Sequence, residues 1–250
     1  MTASAHLLPQ TTLDRTRFDA AARALKVFPS AMNVVSPASG PFVIYTFIVS
    51  CPTTKTWWVV TKRYSEFLAF RRTLAALAKR ACDDVRNVLG AVHAPMFPKK
   101  HPLTPIHNAG KILERLTLFK QYTAMLVSLR EACVLRALQL PPSAAKDSLL
   151  ELYELVQDFL SIPEALRRDE LRRTIALVSP ESSSVTEEDT TECTSCEEAC
   201  AICLCGYEHS ETKLQMPCKH VFHEECVVRW LEKSATCPLC RQDATQGYLL

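Results

Sequence analysis

The stretch CKHVFHEEC, Cys218 to Cys226, decides the reading of the C-terminal region, because it sets two cysteines and two histidines within nine residues. Thiolates and imidazoles at that density are the ligand types of zinc. Working outward, Cys200 and Cys203 form a Cys-x-x-Cys pair upstream, and Cys237 and Cys240 form a second one downstream. The eight candidate ligands are enough for two tetrahedral ions. If CKHVFHEEC held one ion alone, the flanking pairs would take the other and the central segment would gain little cross-linking. An interleaved arrangement ties distant segments together: Cys200, Cys203, His223 and Cys226 on one zinc, and Cys218, His220, Cys237 and Cys240 on the second. So small a unit has too little core to fold unaided, and metal binding, on the order of 10 kcal/mol per site, becomes its folding energy. Four protein ligands per ion leave no position open for a substrate water, so both zincs are expected to be structural.

The rest of the chain frames that unit. With 250 residues, 48% of them hydrophobic, there is room for one large domain or two smaller ones. The net charge of +2 hides an asymmetry: 24 Lys and Arg face 14 Asp and Glu up to Arg173, and 5 face 13 beyond it. A basic first part implies an anionic partner, either a lipid headgroup or nucleic acid. The opening residues, MTASAHLLPQ, lack the basic and apolar regions of a secretory signal, and no apolar run approaches a bilayer span, so a cytoplasmic protein is expected. Twelve cysteines in that setting point to metal rather than disulfides.

Along the chain, ALKVF, PFVIYTFIVS and TWWVVTKRY read as three strands of an antiparallel sheet. From Ser65, placed to cap, Phe67, Phe70, Leu74 and Leu77 recur at helical spacing. Arg71, Arg72, Lys79 and Arg80 lie off that stripe, as a solvated face would. After the proline-rich HAPMFPKKHPLTP come two further helices, GKILERLTLFKQYTAMLVSLREACVLRAL and DSLLELYELVQDFLSI, with ALRRDELRRTIALV as a possible third. The fold class is α+β, with one compact domain over residues 20–163. Residues 164–198 read as a helical extension and an acidic, Ser- and Thr-rich flexible linker, and 199–243 as the zinc unit. Cys51, Cys82 and Cys133 are expected in the core, and Cys193, Cys196 and Cys205 as bystanders or redox-sensitive thiols.

The ligand order Cys, Cys, Cys, His, His, Cys, Cys, Cys, with fourteen residues in the first long gap and ten in the second, resembles RING fingers of the two-histidine type, over Cys200 to Arg241. The basic HHC cluster of lipid-binding two-zinc fingers is absent, and histone-reading fingers normally use one histidine ligand. The resemblance implies a ubiquitin ligase that recruits a ubiquitin-conjugating enzyme and its ubiquitin. By position it assigns the contact with that enzyme to Ile202, Trp230, Pro238 and Arg241, with Arg241 also reaching ubiquitin. No residue is then expected to act as a covalent catalyst.

RYSEF, Arg63 to Phe67, followed by PMFPKK, Pro95 to Lys100, resembles the paired motifs of PX (phox homology) domains. That resemblance implies a phosphatidylinositol 3-phosphate site: Arg63 on the 3-phosphate, Tyr64 against the inositol ring, Lys100 on the 1-phosphate and Arg115 on ring hydroxyls. Met96 and Phe97 become candidates for dipping into the membrane. The basic residues are scattered and no nucleic-acid motif frames them, so nucleic acid is not expected as a partner. Joined, the two resemblances describe a RING-type ubiquitin ligase, peripheral on endosomal membranes, with its finger on an acidic tether. The alternative is a trafficking adaptor whose finger only binds protein.

Overall fold

A computed structural model describes residues 25–38, 40–90, 97–100, 108–169 and 199–250. Strands β1 (Lys26–Ser36), β2 (Gly40–Cys51) and β3 (Thr56–Arg63) form an antiparallel meander, with Lys26 opposite Ser50 and Ile44 opposite Arg63. Gly40 takes a φ of +69°, a left-handed backbone that glycine adopts without penalty, where the first hairpin turns back.

Helix α1 (Tyr64–Arg80) leaves β3 without a connecting residue. Its N-cap is Arg63 rather than Ser65, and Glu66 Oε2 accepts the Arg63 backbone N–H at 2.7 Å. A carboxylate in the first turn thus does the capping from inside the helix. Helix α2 (Asp83–Gly90) was hidden in the sequence because its eight residues are too few to establish a period. Helix α3 (Ala109–Gln139) starts where the Asn108 side chain accepts from Lys111 N–H at 3.0 Å. Ser143 similarly caps α4 (Ala144–Phe159), and residues 164–169 add a short helical segment.

One face of the sheet lies against these helices. Phe67, fully buried, stacks on Phe119 with centroids 4.1 Å apart, and Phe70 stacks on Phe159 at 3.9 Å. Cys51 and Cys133 belong to this core, but Cys82 does not: it sits exposed in the break between α1 and α2. Among the described residues no helix is long and apolar enough to cross a membrane.

The C-terminal unit contains β4 (Lys213–Gln215), β5 (Val221–His223), α5 (Glu224–Leu231) and β6 (Gln246–Leu249). Its last strand joins the N-terminal sheet. The strands form a single six-stranded sheet in the order β1-β2-β3-β6-β4-β5, with β6 inserted antiparallel between β3 and β4. The reason lies in TWWVV. Successive strand residues face opposite sides, so Trp58 enters the helix-side core while Trp57 enters a second core with Ile48, Leu214, Met216 and Phe222. Strands covered on both faces read as near-continuous apolar runs, as WWVV does and, but for Ser50, FIVSC. The segment expected to be the acidic linker, with Cys193 and Cys196, lies outside the described residues, as does Met96.

Candidate metal centres and docking faces

Two similar turns build the metal-binding end. In the first, Leu204 N–H donates to Cys200 O at 2.7 Å and Cys200 N–H to Cys205 O at 2.9 Å. In the second, Arg241 N–H donates to Cys237 O at 2.9 Å and Cys237 N–H to Gln242 O at 2.8 Å. Leu204 and Arg241 occupy equivalent places, each just after a Cys-x-x-Cys pair, with positive φ of 63° and 61°. Within the same turns the backbone N–H of Cys205 reaches the Cys203 thiol and that of Gln242 the Cys240 thiol, which favours thiolate.

The structure brings together Cys200, Cys203, His223 and Cys226 as one group, and Cys218, His220, Cys237 and Cys240 as the other, with ligand atoms in each lying within 4.8 Å of one another. Zinc bonds of about 2.3 Å to sulfur and about 2.0 Å to nitrogen imply tetrahedral S···N edges of about 3.5 Å. Here Cys203 Sγ is 3.3 Å and Cys226 Sγ 4.0 Å from His223 Nδ1, while Cys218 Sγ is 3.2 Å and Cys237 Sγ 3.6 Å from His220 Nδ1. Three thiols and one imidazole at these separations fit two structural zinc ions, with no fifth position to fill.

Thiol electrostatics within each cluster are uneven. The backbone N–H of Gln242 lowers the Cys240 thiol to about 7, and that of Cys205 lowers Cys203. Burial pushes Cys218 up to about 11 and Cys226 up to about 12. A bound cation overrides these preferences, since coordinating thiols lose their protons. Around His223, the Tyr207 ring packs edge-on at 4.7 Å while its hydroxyl donates to Val221 O at 2.7 Å. The Glu211 carboxylate lies 3.1 Å from His223 Nε2, within ion-pair distance although off hydrogen-bond direction. Such outer partners orient a ligating ring.

Beside the clusters the surface is apolar. Ile202 and Trp230 remain 40% and 42% exposed, Pro238 is half-buried and Arg241 is exposed. The Trp230 indole N–H donates to Thr236 O at 2.8 Å, which holds the ring beside the second turn. Leu239, 45% exposed, occupies in that turn the place Ile202 has in the first. Sequence reasoning overlooked it, although CAIC and CPLC share the pattern of an apolar third residue. Cys205 is exposed and stands outside both ligand groups.

A second set of residues meets on the helical side. Tyr64, at the start of α1, donates its hydroxyl to Pro98 O at 2.9 Å, and Arg115 lies over its ring at 4.3 Å. The carbonyl contact holds the chain just before Lys99 and Lys100, both exposed, beside Arg115, whose Nε is buried without a partner. Arg63 is exposed and stacks on Phe42 at 3.4 Å. Phe97 packs toward Tyr64, Phe119 and Tyr122, so it is core-facing rather than a free tip. Arg71, read from sequence as plain surface, lies 4.7 Å over the Phe97 ring. Its place seven residues after Tyr64, two helical turns on, was the signal that the two share a face. Burial raises the Tyr64 phenol, with Arg115, Arg71 and Arg72 pulling the other way.

Comparison with known proteins bears on the C-terminal unit. Residues 198–241 match the family described as Ring finger domain. Similar proteins include the E3 ubiquitin-protein ligase ATL9 of Arabidopsis thaliana, 58% identical over 45 residues, which are 18% of this chain and 12% of that protein. The E3 ubiquitin-protein ligase RNF181 of Rattus norvegicus is 48% identical over 44 residues, 18% of this chain and 27% of that protein. RING-H2 finger protein ATL38 of Arabidopsis thaliana is 56% identical over 45 residues, 18% of this chain and 15% of its own length. The chain therefore spans at most about a quarter of these relatives, and the likeness lies within the finger.

Proposed function

We propose that this protein is a RING-type E3 ubiquitin ligase, which brings a ubiquitin-conjugating enzyme to substrate and promotes transfer of ubiquitin to lysine. The observation that carries the reading is the pair of closed Cys₃His clusters presenting Ile202, Trp230 and Pro238 at the surface beside Arg241. An aromatic and an aliphatic anchor on a rigid frame suit a protein docking face. In the reaction a lysine amine attacks the thioester carbonyl on the conjugating enzyme. An amide bond forms, the carbon–sulfur bond breaks, and the thiol leaves on that enzyme. This chain needs no nucleophile: it contributes orientation of the loaded thioester and, through Arg241, a fixed cationic hydrogen-bond donor. With activating enzyme, ubiquitin, ATP and a panel of conjugating enzymes, the zinc-loaded protein should build ubiquitin conjugates that Ile202→Ala and Trp230→Ala each suppress at least about tenfold, the loss of about 1.4 kcal/mol of docking energy. No conjugates with any enzyme would favour the adaptor reading.

The cationic site around Tyr64 favours a second component, recruitment to phosphatidylinositol 3-phosphate on endosomal membranes by a PX-like N-terminal domain. Its support is the convergence of Arg115, the Pro98–Lys100 segment and Tyr64, next to Arg63 on β3. Arginine forks suit phosphate oxygens, and lysine supplies a point charge. Vesicles carrying this lipid should retain the protein, with Arg63→Ala and Arg115→Ala each weakening retention and high salt reducing it. Equal retention on vesicles without phosphoinositide would remove this component while leaving the ligase reading intact.

A further inference from the structure

We infer that the zinc module is locked to the N-terminal sheet, so that the protein acts as one rigid body and presents its docking face in a fixed orientation to the rest of the chain. The inference rests on the ligase reading for its consequence, but its physical basis is separate. Strand β6 pairs with β3 through Thr56↔Tyr248, Trp57↔Gly247 and Trp58↔Gln246, and Val59 N–H donates to Thr245 O while Leu249 N–H donates to Lys55 O, both at 2.9 Å.

Side chains close the joint on three sides. Trp57 is fully buried in the C-terminal core and donates its indole N–H to Gln215 O at 3.0 Å. That ring needs the bare backbone of Gly247: a Cβ there would fall 2.0 Å from Gln215 O and 2.5 Å from Trp57 Nε1. Lys26, at the start of β1, pairs with the buried Glu224, which follows the zinc ligand His223 and begins the helix bearing Trp230. Tyr248 O–H donates to Asp169 Oδ2 at 2.7 Å, so the last residue described before position 199 is fixed to the same strand.

Covalent connection makes this contact intramolecular, with an effective concentration on the order of mM. Even an interface with an intrinsic Kd of about 10 μM would then be closed about 99% of the time. Meanwhile Ile202, Trp230 and Leu239 stay exposed in the closed form, so the lock leaves the docking face open. Ubiquitin would be delivered at a set place relative to whatever the N-terminal domain holds, and the lysines it reaches would be limited by the shape of the body.

The test is backbone amide relaxation by NMR on the full zinc-loaded chain. Amides of the zinc module should share the rotational correlation time of the N-terminal amides, and in Gly247→Val they should tumble several-fold faster with both zincs retained. Independent tumbling in the unaltered protein would overturn the inference, and so would a zinc-loaded Gly247→Val that still tumbles as one body. Should Gly247→Val lose zinc, Trp57→Ala, which takes the β3 ring out of the second core and leaves every residue beside a metal ligand unchanged, takes its place with the same two readings. Mapping self-ubiquitylation then reads the consequence: lysines modified in the unaltered protein should be few, and the released variant should spread modification over the N-terminal domain. An identical pattern would overturn that consequence. Absence of ubiquitin on either protein would count against the ligase reading alone, because the relaxation result does not depend on it.

Discussion

Trp57 and Trp58 are neighbours in sequence whose side chains finish in different cores, and this pair carries much of the architecture. Large-to-small changes of buried aromatics cost about 3–5 kcal/mol, from lost transfer energy and the cavity left behind. Trp58→Ala should therefore lower the stability of the helical half to urea. Trp57→Ala should cost a comparable amount and in addition uncouple the halves, turning one cooperative transition into two. A single unchanged transition for Trp57→Ala would show that the second core does not depend on this ring. The metal ligands were legible at this scale because zinc chemistry restricts both residue type and spacing. Arg71, Leu239 and the exposure of Cys82 were less so, since they depend on which helix face or turn meets its neighbour.

At the scale of the element, the repeated Cys-x-x-Cys turn sets the acid–base behaviour of the metal clusters. Burial raises Cys226 to about 12 and Cys218 to about 11, so each cluster holds a thiol that is protonated at neutral pH before metal enters. Zinc must displace those protons, and apparent affinity should climb about tenfold per pH unit for each proton released. The sign is thus tighter binding as pH rises and metal loss on acidification. Calorimetric titration in buffers of different ionisation heat should report at least one proton released per zinc at pH 7; zero release would contradict the raised thiols. The strands, α1 and the longer helices were legible because their apolar periods are long. Strand β6 was not, because QGYL is four residues that are extended through pairing with β3 on one side and β4 on the other.

For the molecule as a whole, the composition of the chain concealed how its halves meet. An acidic, Ser-rich segment between two domains reads as a tether, and nothing in its residues shows that the strand beyond the finger returns to the first domain's sheet. The clue lay instead in the apolar runs of β2 and β3, which are too continuous for a sheet covered on one face. If the lock holds, the N-terminal domain decides where ubiquitin is delivered, and the finger decides that it is delivered at all. That second statement is the central one. It is tested most directly by single-turnover discharge of a ubiquitin-loaded conjugating enzyme onto free lysine, with the unaltered protein, Ile202→Ala and Arg241→Ala compared at full zinc occupancy. The account predicts accelerated discharge that Ile202→Ala abolishes and Arg241→Ala slows at least about tenfold, or 1.4 kcal/mol in the barrier. Discharge no faster than the conjugating enzyme alone, across a broad panel of such enzymes, would contradict it.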